Sequence, residues 1–151
     1  MERTFVLLKP DAIQRGLVGR IVERFDRRGY RILAMKMLVP SRDQAEQHYA
    51  VHREKFFFSE LVDHLTSGPV VALVLEAPDA IVSIRNLLGA TRPSEATGGT
   101  IRGDFGQTPM RNLVHAADSV ESYEHEHSVY FVESEIMDYQ RPIDHWVFEP
   151  E

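Results

Sequence analysis

Four short apolar runs divide this chain, and turn-forming or charged residues bound each of them. They cover residues 4–8, 31–39, 70–75 and 129–131. Runs of this length that are rich in apolar and β-branched residues predict β-strands, and the first run is typical of a strand buried on both faces. The remaining segments therefore have to cover a small sheet.

Helical patterns occupy most of the intervals between these runs. Apolar residues recur at i, i+3, i+4 and i+7 from Val18, and Ser41 with Gln44 makes a capping-box pattern. The predicted helices are one ended by Gly29, one from Ser41 to about Ala50, one opened by residues 56–58 and stopped at Gly68, one from Asp79 to Gly89, and one from Ser119 to about Glu126.

This order of strands and helices predicts an α/β fold of the α+β type. We expect the split βαβ arrangement of ferredoxin-like folds, with a four-stranded antiparallel sheet covered by helices. Two features are added to that plan: a helical hairpin inserted after the second strand, and a long turn-rich loop before His115.

Length and composition narrow the class of protein. A chain of 151 residues fits a single domain over residues 1–151, and the absence of cysteine excludes disulfides and thiolate chemistry. The first residues lack a basic segment followed by an apolar one, and no apolar run reaches membrane-spanning length. We therefore expect a cytoplasmic protein with no membrane partner.

The charge is distributed unevenly along the chain. The net charge is −6, which argues against nucleic acid as the main partner. Residues 1–36 nevertheless hold nine Lys and Arg against four acidic residues, whereas residues 117–151 hold one against ten. A local cationic cluster can still receive an acidic ligand.

The stretch GTIRGDFGQTPMRNLVHAADS, residues 99–119, concentrates the residues with reactive or anion-binding chemistry. Its glycines predict a backbone that turns tightly and brings N–H groups to an anion. Arg102 and Arg111 supply forked positive charge that fits phosphate oxygens. His115 in such a pocket is a candidate nucleophile, base or proton donor. The alternative is a surface loop with a solvated histidine, ahead of a helix capped by Asp118 or Ser119.

Other candidate groups keep more than one interpretation. Lys9 is either a solvated residue at a strand end or a cation pointing into a cleft. His48 and His52 share a helical spacing, but without a third ligand nearby the pattern favours surface histidines over a metal pair. The residues 124–127, EHEH, have a metal-like composition, yet alternate positions on a helix face apart, so no metal is expected there. The phenylalanines at 56–58 either pack a helical hairpin or place a ring in a cleft.

Six segments together identify a family resemblance. The segments VLLKPDAIQRGLVGRI, HYAVH, SGPVVALVLE, LLGATRP, GTIRGDFG and RNLVHAADS, in this order and spacing, closely resemble nucleoside diphosphate kinases over nearly the whole chain. The resemblance implies phosphoryl transfer from a nucleoside triphosphate to a nucleoside diphosphate through a phosphohistidine, without a Walker A motif.

The resemblance also implies roles for single residues. His115 matches the nucleophile, and Glu126 matches the carboxylate that orients its ring. Lys9 and Asn112 match groups that hold the sugar 3′-hydroxyl, and Tyr49 matches one that helps to position the phosphates or the histidine. Phosphate contacts are implied for Arg85, Thr91, Arg102 and Lys9, and base stacking for Phe57.

Mg²⁺ is the implied cofactor, held through the nucleotide phosphates and not by a protein metal site. The partners are nucleoside tri- and diphosphates, and the resemblance implies a homo-oligomer, a hexamer with a tetramer as the alternative. The sequence departs from the family pattern without losing a catalytic group, at Phe56, Gly98, Pro109, Met110, Ala116 and Ala117.

Two rival functions remain open at this stage. A non-catalytic ligand-binding module on the same fold is distinguished by loss of His115 or its cationic partners, and these residues are all present. An RNA-binding sheet requires exposed aromatic residues in a recognition pattern, which the sequence does not show.

Overall fold

The computed structural model describes residues 1–150 and contains one four-stranded sheet. Its strands are β1 (Glu2–Leu8), β2 (Arg31–Leu38), β3 (Val70–Ala77) and β4 (Val114–Ala116). The strand order is β2-β3-β1-β4, and every neighbouring pair is antiparallel. The ferredoxin-like prediction is therefore confirmed, with β1 and β3 in the centre and β4 at one edge.

The predicted fourth strand is wrong. Val129 and Tyr130 end a helix, α7 (Val120–Tyr130), and Phe131 is its C-cap. Ser119 caps the start of this helix by accepting a hydrogen bond from the backbone N–H of Ser122. Tyr130 and Phe131 are buried against the sheet, and a short apolar run can serve a helix end as well as a strand. The real fourth strand is the three-residue β4, in the middle of which His115 lies.

The other helices are short and cover both faces of the sheet. They are α1 (Pro10–Gln14), α2 (Val18–Arg28), α3 (Arg42–His48), α4 (Phe58–Leu65), α5 (Ala80–Leu88), α6 (Ile101–Phe105) and α8 (Asp144–Val147). None of the helices in residues 1–150 is long and apolar enough to cross a membrane.

Local capping signals place most helix ends correctly. The Ser41–Gln44 capping box is present, although α3 ends at His48 and not near Ala50. Gly29 ends α2 in the left-handed conformation, with φ of +93°. Asp79 occupies the N-cap of α5 but makes no capping hydrogen bond; instead, Glu2 from β1 accepts from the backbone N–H of Ile81. A tertiary contact therefore replaces the predicted local cap.

Alternation along the central strands separates two apolar cores. Val6 and Leu8 of β1 pack with α2 and α5, whereas Phe5 and Leu7 pack with residues of α3, α4 and α7. The strand β1 is thus buried on both faces, as predicted. This arrangement fixes β4 against β1 with His115 opposite Leu7.

Candidate active site

The residue before β4 has a strained backbone conformation and contacts the segment that follows β1. Leu113 precedes β4 with φ of +73°, a conformation that is unfavourable for a bulky residue. Its backbone N–H donates to Oδ2 of Asp11 at 2.9 Å, and its carbonyl accepts from the backbone N–H of Lys9 at 2.8 Å. Two contacts from the segment after β1 therefore hold the strained residue in place.

Asp11 is fixed in turn by His64 of α4, whose Nε2 lies 3.0 Å from Oδ1. Burial opposes ionisation of Asp11, but the hydrogen bond from His64, the positive charge of Lys9 and the hydrogen bond from Leu113 together outweigh it, so the pKa of this carboxyl is lowered. Sequence reasoning missed both residues. Asp11 directly follows Lys9 and Pro10 in the first of the segments that carry the family resemblance, so its position there could have identified it. No sequence pattern pointed to His64.

His115 is held by a carboxylate on one side of its ring. Nε2 of His115 lies 2.6 Å from Oε1 of Glu126, which is buried on α7. Nδ1 is then the ring nitrogen that remains for chemistry. The His115 side chain is 28% exposed and that of Glu126 is 9% exposed, so the ring is the more accessible of the two.

His48 was predicted to lie on the surface, and this prediction is wrong. Its ring is buried, with Nδ1 at 2.9 Å from the Tyr130 hydroxyl and its centroid 4.6 Å from that of His115. Burial lowers the pKa of His48 well below its usual value, which keeps the imidazole neutral. His52 contacts Phe57, with ring centroids 5.5 Å apart.

A cavity of about 640 Å³ brings the predicted residues together. Two predicted residues are outside its lining: Arg111, and Glu126, which contacts His115. The lining includes Lys9, Tyr49, Phe57, Arg85, Thr91, Arg102, Asn112 and His115. This volume lies within the range of small-molecule sites, so the cavity can receive a ligand of nucleotide size.

Positive charge lines one side of this cavity. The buried Lys9 Nζ donates to Oδ1 of Asn112, whose Nδ2 donates to the Thr91 carbonyl at 3.0 Å. Burial lowers the pKa of Lys9 to about 8, and the nearby cations Arg102 and Arg111 add to the effect. Since an anion favours the charged form of lysine, a phosphate bound in the cavity would raise the pKa of Lys9 again.

Arg102 links the end of α5 to the segment that leads into β4. Its guanidinium donates to the carbonyls of Gly89 at 2.9 Å, Asn112 at 3.2 Å and Val114 at 2.6 Å. Burial lowers the pKa of Arg102 to about 10, which leaves it charged at neutral pH. Arg111, predicted as its partner, is exposed and outside the lining, whereas Arg85 and Arg92 are part of it.

The glycines of residues 99–106 do not form the predicted anion cradle. The N–H of Gly99 donates to Asp104, that of Gly103 to Thr100, and that of Gly106 to the carbonyl of Arg102. A Cβ at Gly103 would clash with the Thr97 carbonyl, so this glycine permits close packing of α6 against the loop. Side chains, not glycine N–H groups, supply the anion-binding charge.

An aromatic pair also lines the cavity. The rings of Phe56 and Phe57 meet edge to face with centroids 5.3 Å apart, and Phe56 is 97% exposed. Pro109 and Met110 also line the cavity. This part of the lining offers an apolar face suitable for stacking a planar base.

A ferredoxin-like sheet whose edge strand offers a carboxylate-held histidine to a cationic cavity defines a site for phosphoryl-group chemistry. The family model for nucleoside diphosphate kinase matches residues 2–136. The chain belongs to the nucleoside diphosphate kinase family.

Similar proteins cover almost the whole chain. The nucleoside diphosphate kinase of Archaeoglobus fulgidus is 56% identical over 149 residues, which is 99% of each chain. That of Picrophilus torridus is 55% identical over 138 residues, or 91% of this chain and 100% of the relative. The halophilic nucleoside diphosphate kinase of Halobacterium salinarum, solved in complex with CDP, has a TM-score of 0.95 at 43% identity, covering 98% of this chain and 99% of that one.

Membership of this family makes the protein a phosphotransferase. It transfers the γ-phosphoryl group of a nucleoside triphosphate to a nucleoside diphosphate by a ping-pong mechanism through a phosphohistidine.

Proposed function

We propose that Nδ1 of His115 is the atom that carries the phosphoryl group. The observation that supports this assignment is the 2.6 Å contact between Nε2 and Glu126, which occupies the other ring nitrogen. The Nδ1 lone pair attacks the γ-phosphorus, and the bond from that phosphorus to the β–γ bridging oxygen breaks. The diphosphate leaves with the electron pair, while Glu126 stabilises the positive charge that develops on the ring.

The position of the phosphoryl group on the ring tests this proposal. Enzyme labelled with radioactive ATP and Mg²⁺, without an acceptor, is digested in alkali and its phosphohistidine isomers are separated. We expect the isomer phosphorylated on Nδ1, because Nε2 is held by Glu126. The isomer phosphorylated on Nε2 would contradict the assignment.

The surrounding side chains then bind the parts of the nucleotide. Arg85, Arg102, Thr91 and Lys9 contact the phosphates and stabilise the charge of the transferring group. Lys9 with Asn112 holds the sugar 3′-hydroxyl, and Tyr49 helps to position the phosphates or His115. Phe57 stacks on the base, and a stacking contact accepts any base because every base has a π-face.

The proposed substrate is the Mg²⁺ complex of the nucleotide. Lys9, Arg85, Arg92 and Arg102 line the cavity, against a single acidic residue, Glu60. Mg²⁺ prefers oxygen ligands and often binds through substrate phosphates, so this lining suits an ion that enters with the nucleotide.

Loss of charge on Lys9 should be visible in the pH dependence of catalysis. Its lowered pKa of about 8 means that the free enzyme loses this positive charge as pH rises through about 8. We expect kcat/KM for a nucleoside triphosphate to fall over this range, since kcat/KM reports the free enzyme. The decline in kcat should begin at a higher pH than the decline in kcat/KM, because bound phosphates favour the charged form of Lys9.

The matched variant for this prediction is Lys9→Arg, which stays charged throughout. Whatever its absolute rate, its kcat/KM profile should lose the decline near pH 8. A wild-type profile that stays flat in this range, or a decline that persists in Lys9→Arg, would show that Lys9 does not titrate there.

Ala117→Ser is expected to stabilise the fold. Ala117 is fully buried beyond β4, and Oε2 of Glu126 is buried without a hydrogen-bond partner in the described part of the chain. A serine hydroxyl that reaches this oxygen would raise the free energy of unfolding by about 1.5–3 kcal/mol at most. The measurement is denaturant unfolding at equal subunit concentration, since assembly makes stability depend on concentration.

Ala116→Ser is the control, because Ala116 faces the opposite core with Val6 and Leu8. It should destabilise the protein by burying a hydroxyl without a partner. If Ala117→Ser lowers the unfolding midpoint as well, the added hydroxyl does not reach Glu126.

We propose that residues 1–151 act as one domain within a homo-oligomer in the cytoplasm. The segment after the family match packs back on the fold, where Arg141 donates to the carbonyls of Gly29 and Tyr30. The edge strand β2 exposes Met35 and Met37, an arrangement that favours cover by a second copy. Light scattering with a mass readout distinguishes the hexamer implied by the family resemblance from a tetramer.

A further inference from the structure

Two buried polar atoms beside His115 have no hydrogen-bond partner within residues 1–150. They are Nε2 of His48 and Oε2 of Glu126. The His48 residue is 4% exposed and Glu126 is 7% exposed. Since a buried polar group without a partner costs free energy, two of them next to the same reactive ring call for an explanation.

The three side chains lie close enough to share one ligand. One ligand atom from each of His48, His115 and Glu126 falls within 4.8 Å of those of the other two. Nδ1 of His48 is engaged with the Tyr130 hydroxyl, so Nε2 is the atom that His48 has to offer. Ligand atoms around a tetrahedral zinc ion are about 3.4 Å apart, from bonds of about 2.0–2.1 Å, so the widest separation has to close by up to about 1.4 Å.

The chemistry of this group favours a borderline cation. Two imidazoles and a carboxylate form one of the sets that hold zinc with a fourth position left open. Both imidazoles have to be neutral to bind, and His48 is buried in a way that keeps it so. Mg²⁺ prefers oxygen ligands and is therefore not the ion that this group selects.

A second cavity gives access to the group. It has a volume of about 560 Å³, includes His48 and Glu126 in its lining, and shares no lining residue with the nucleotide cavity. The exposed Glu121 and His125 are also part of its lining. An ion can thus approach without passing through the nucleotide site, along a path that carries acidic and imidazole groups.

We propose that His48, His115 and Glu126 form an inhibitory site for Zn²⁺ or a similar imidazole-binding divalent cation. An ion on Nε2 of His115 displaces the ring proton from Nε2 to Nδ1. Nδ1 then carries a hydrogen and has no lone pair for attack on phosphorus. A bound ion therefore prevents phosphorylation of His115, and this inhibitory consequence, unlike binding itself, rests on the proposed role of His115.

Direct binding tests the site without nucleotide. Zn²⁺ is titrated calorimetrically into the assembled, unphosphorylated enzyme, and Co²⁺ is added in parallel to record its visible absorption. We expect one ion per subunit and the intense bands of four-coordinate Co²⁺. In a separate assay, enzyme loaded with Zn²⁺ beforehand and mixed with a trace of labelled ATP and Mg²⁺ should form much less phosphoenzyme than the metal-free enzyme.

His48→Asn and His145→Asn are the matched variants. In His48→Asn the new amide can keep the hydrogen bond to Tyr130 but lacks the second ring nitrogen, whereas His145 is exposed on α8. We expect His48→Asn to weaken Zn²⁺ binding by more than about 100-fold, beyond the 10–100-fold typical of losing an outer-shell partner. His145→Asn should bind as the wild type does.

Several results would overturn the site. These are no binding to the wild type, binding that survives in His48→Asn, or phosphoenzyme formation that bound Zn²⁺ leaves unchanged. If His48→Asn does not fold, the Co²⁺ spectrum and the labelling of Zn²⁺-loaded wild-type enzyme decide. Formation of phosphoenzyme is scored separately, so a failure of the proposed role of His115 is distinguished from a failure of the metal site.

Discussion

His115→Asn is expected to lower steady-state phosphoryl transfer by at least about 10⁴-fold, the scale of loss when a nucleophile is removed. Asparagine retains polarity and approximate size but has no basic nitrogen with a lone pair to attack phosphorus. The partly exposed position of His115 on β4 means that the change removes few packing contacts. Stability should therefore change much less than rate.

The measurement combines turnover with labelling. Wild-type enzyme mixed with labelled ATP and Mg²⁺ should form an acid-labile, alkali-stable phosphoenzyme, the stability expected of a histidine phosphoramidate. His115→Asn should form none, whereas the remote control His145→Asn should label normally. Label retained on the His115 variant would assign the nucleophile to another side chain.

A 3′-deoxynucleotide is expected to turn over about 10²–10³-fold more slowly at saturation, the range found when one charge-stabilising donor is removed. Lys9 and Asn112 are hydrogen-bonded to each other, and Asn112 is anchored to the Thr91 carbonyl at 3.0 Å, so their positions are fixed before the sugar binds. A 3′-hydroxyl held there can donate to the departing phosphate oxygen. That contact strengthens as charge develops, so its loss affects kcat more than KM.

The 2′-deoxynucleotide is the matched substrate control and should turn over at close to the ribonucleotide rate. Asn112→Ala should reduce the difference between the 3′-deoxy and normal substrates, which a double-mutant cycle measures as coupling. Equal turnover of the two sugars in the wild type would exclude this role for the 3′-hydroxyl.

Features that depend on neighbouring residues along the chain could be predicted from the sequence. The first three strands follow from apolar runs, and the end of α2 at Gly29 and the Ser41–Gln44 cap of α3 follow from local backbone chemistry. The family resemblance identified most of the candidate residues that line the cavity: Lys9, Tyr49, Thr91, Arg102, Asn112 and His115 lie within the quoted segments, and Phe57 and Arg85 lie between them.

Features that depend on contacts between distant segments had to come from the tertiary structure. The three residues of β4 are too few for a periodic signal, and they become a strand only by pairing with β1, whereas residues 129–131 complete a helix because burial favours it. The cap of α5 comes from Glu2, and Leu113 keeps its positive φ because Asp11 and Lys9 hold it.

The histidines show the same difference between what the sequence determines and what the tertiary structure decides. The sequence by itself determined that a histidine lies among cations in the segment before α7, and the family resemblance made His115 the candidate nucleophile. Only the tertiary structure decided which nitrogen of His115 is free and that His48 is buried beside it. The physical reason is that protonation and ligand capacity depend on burial and on partners brought from α3 and α7, which no local pattern encodes.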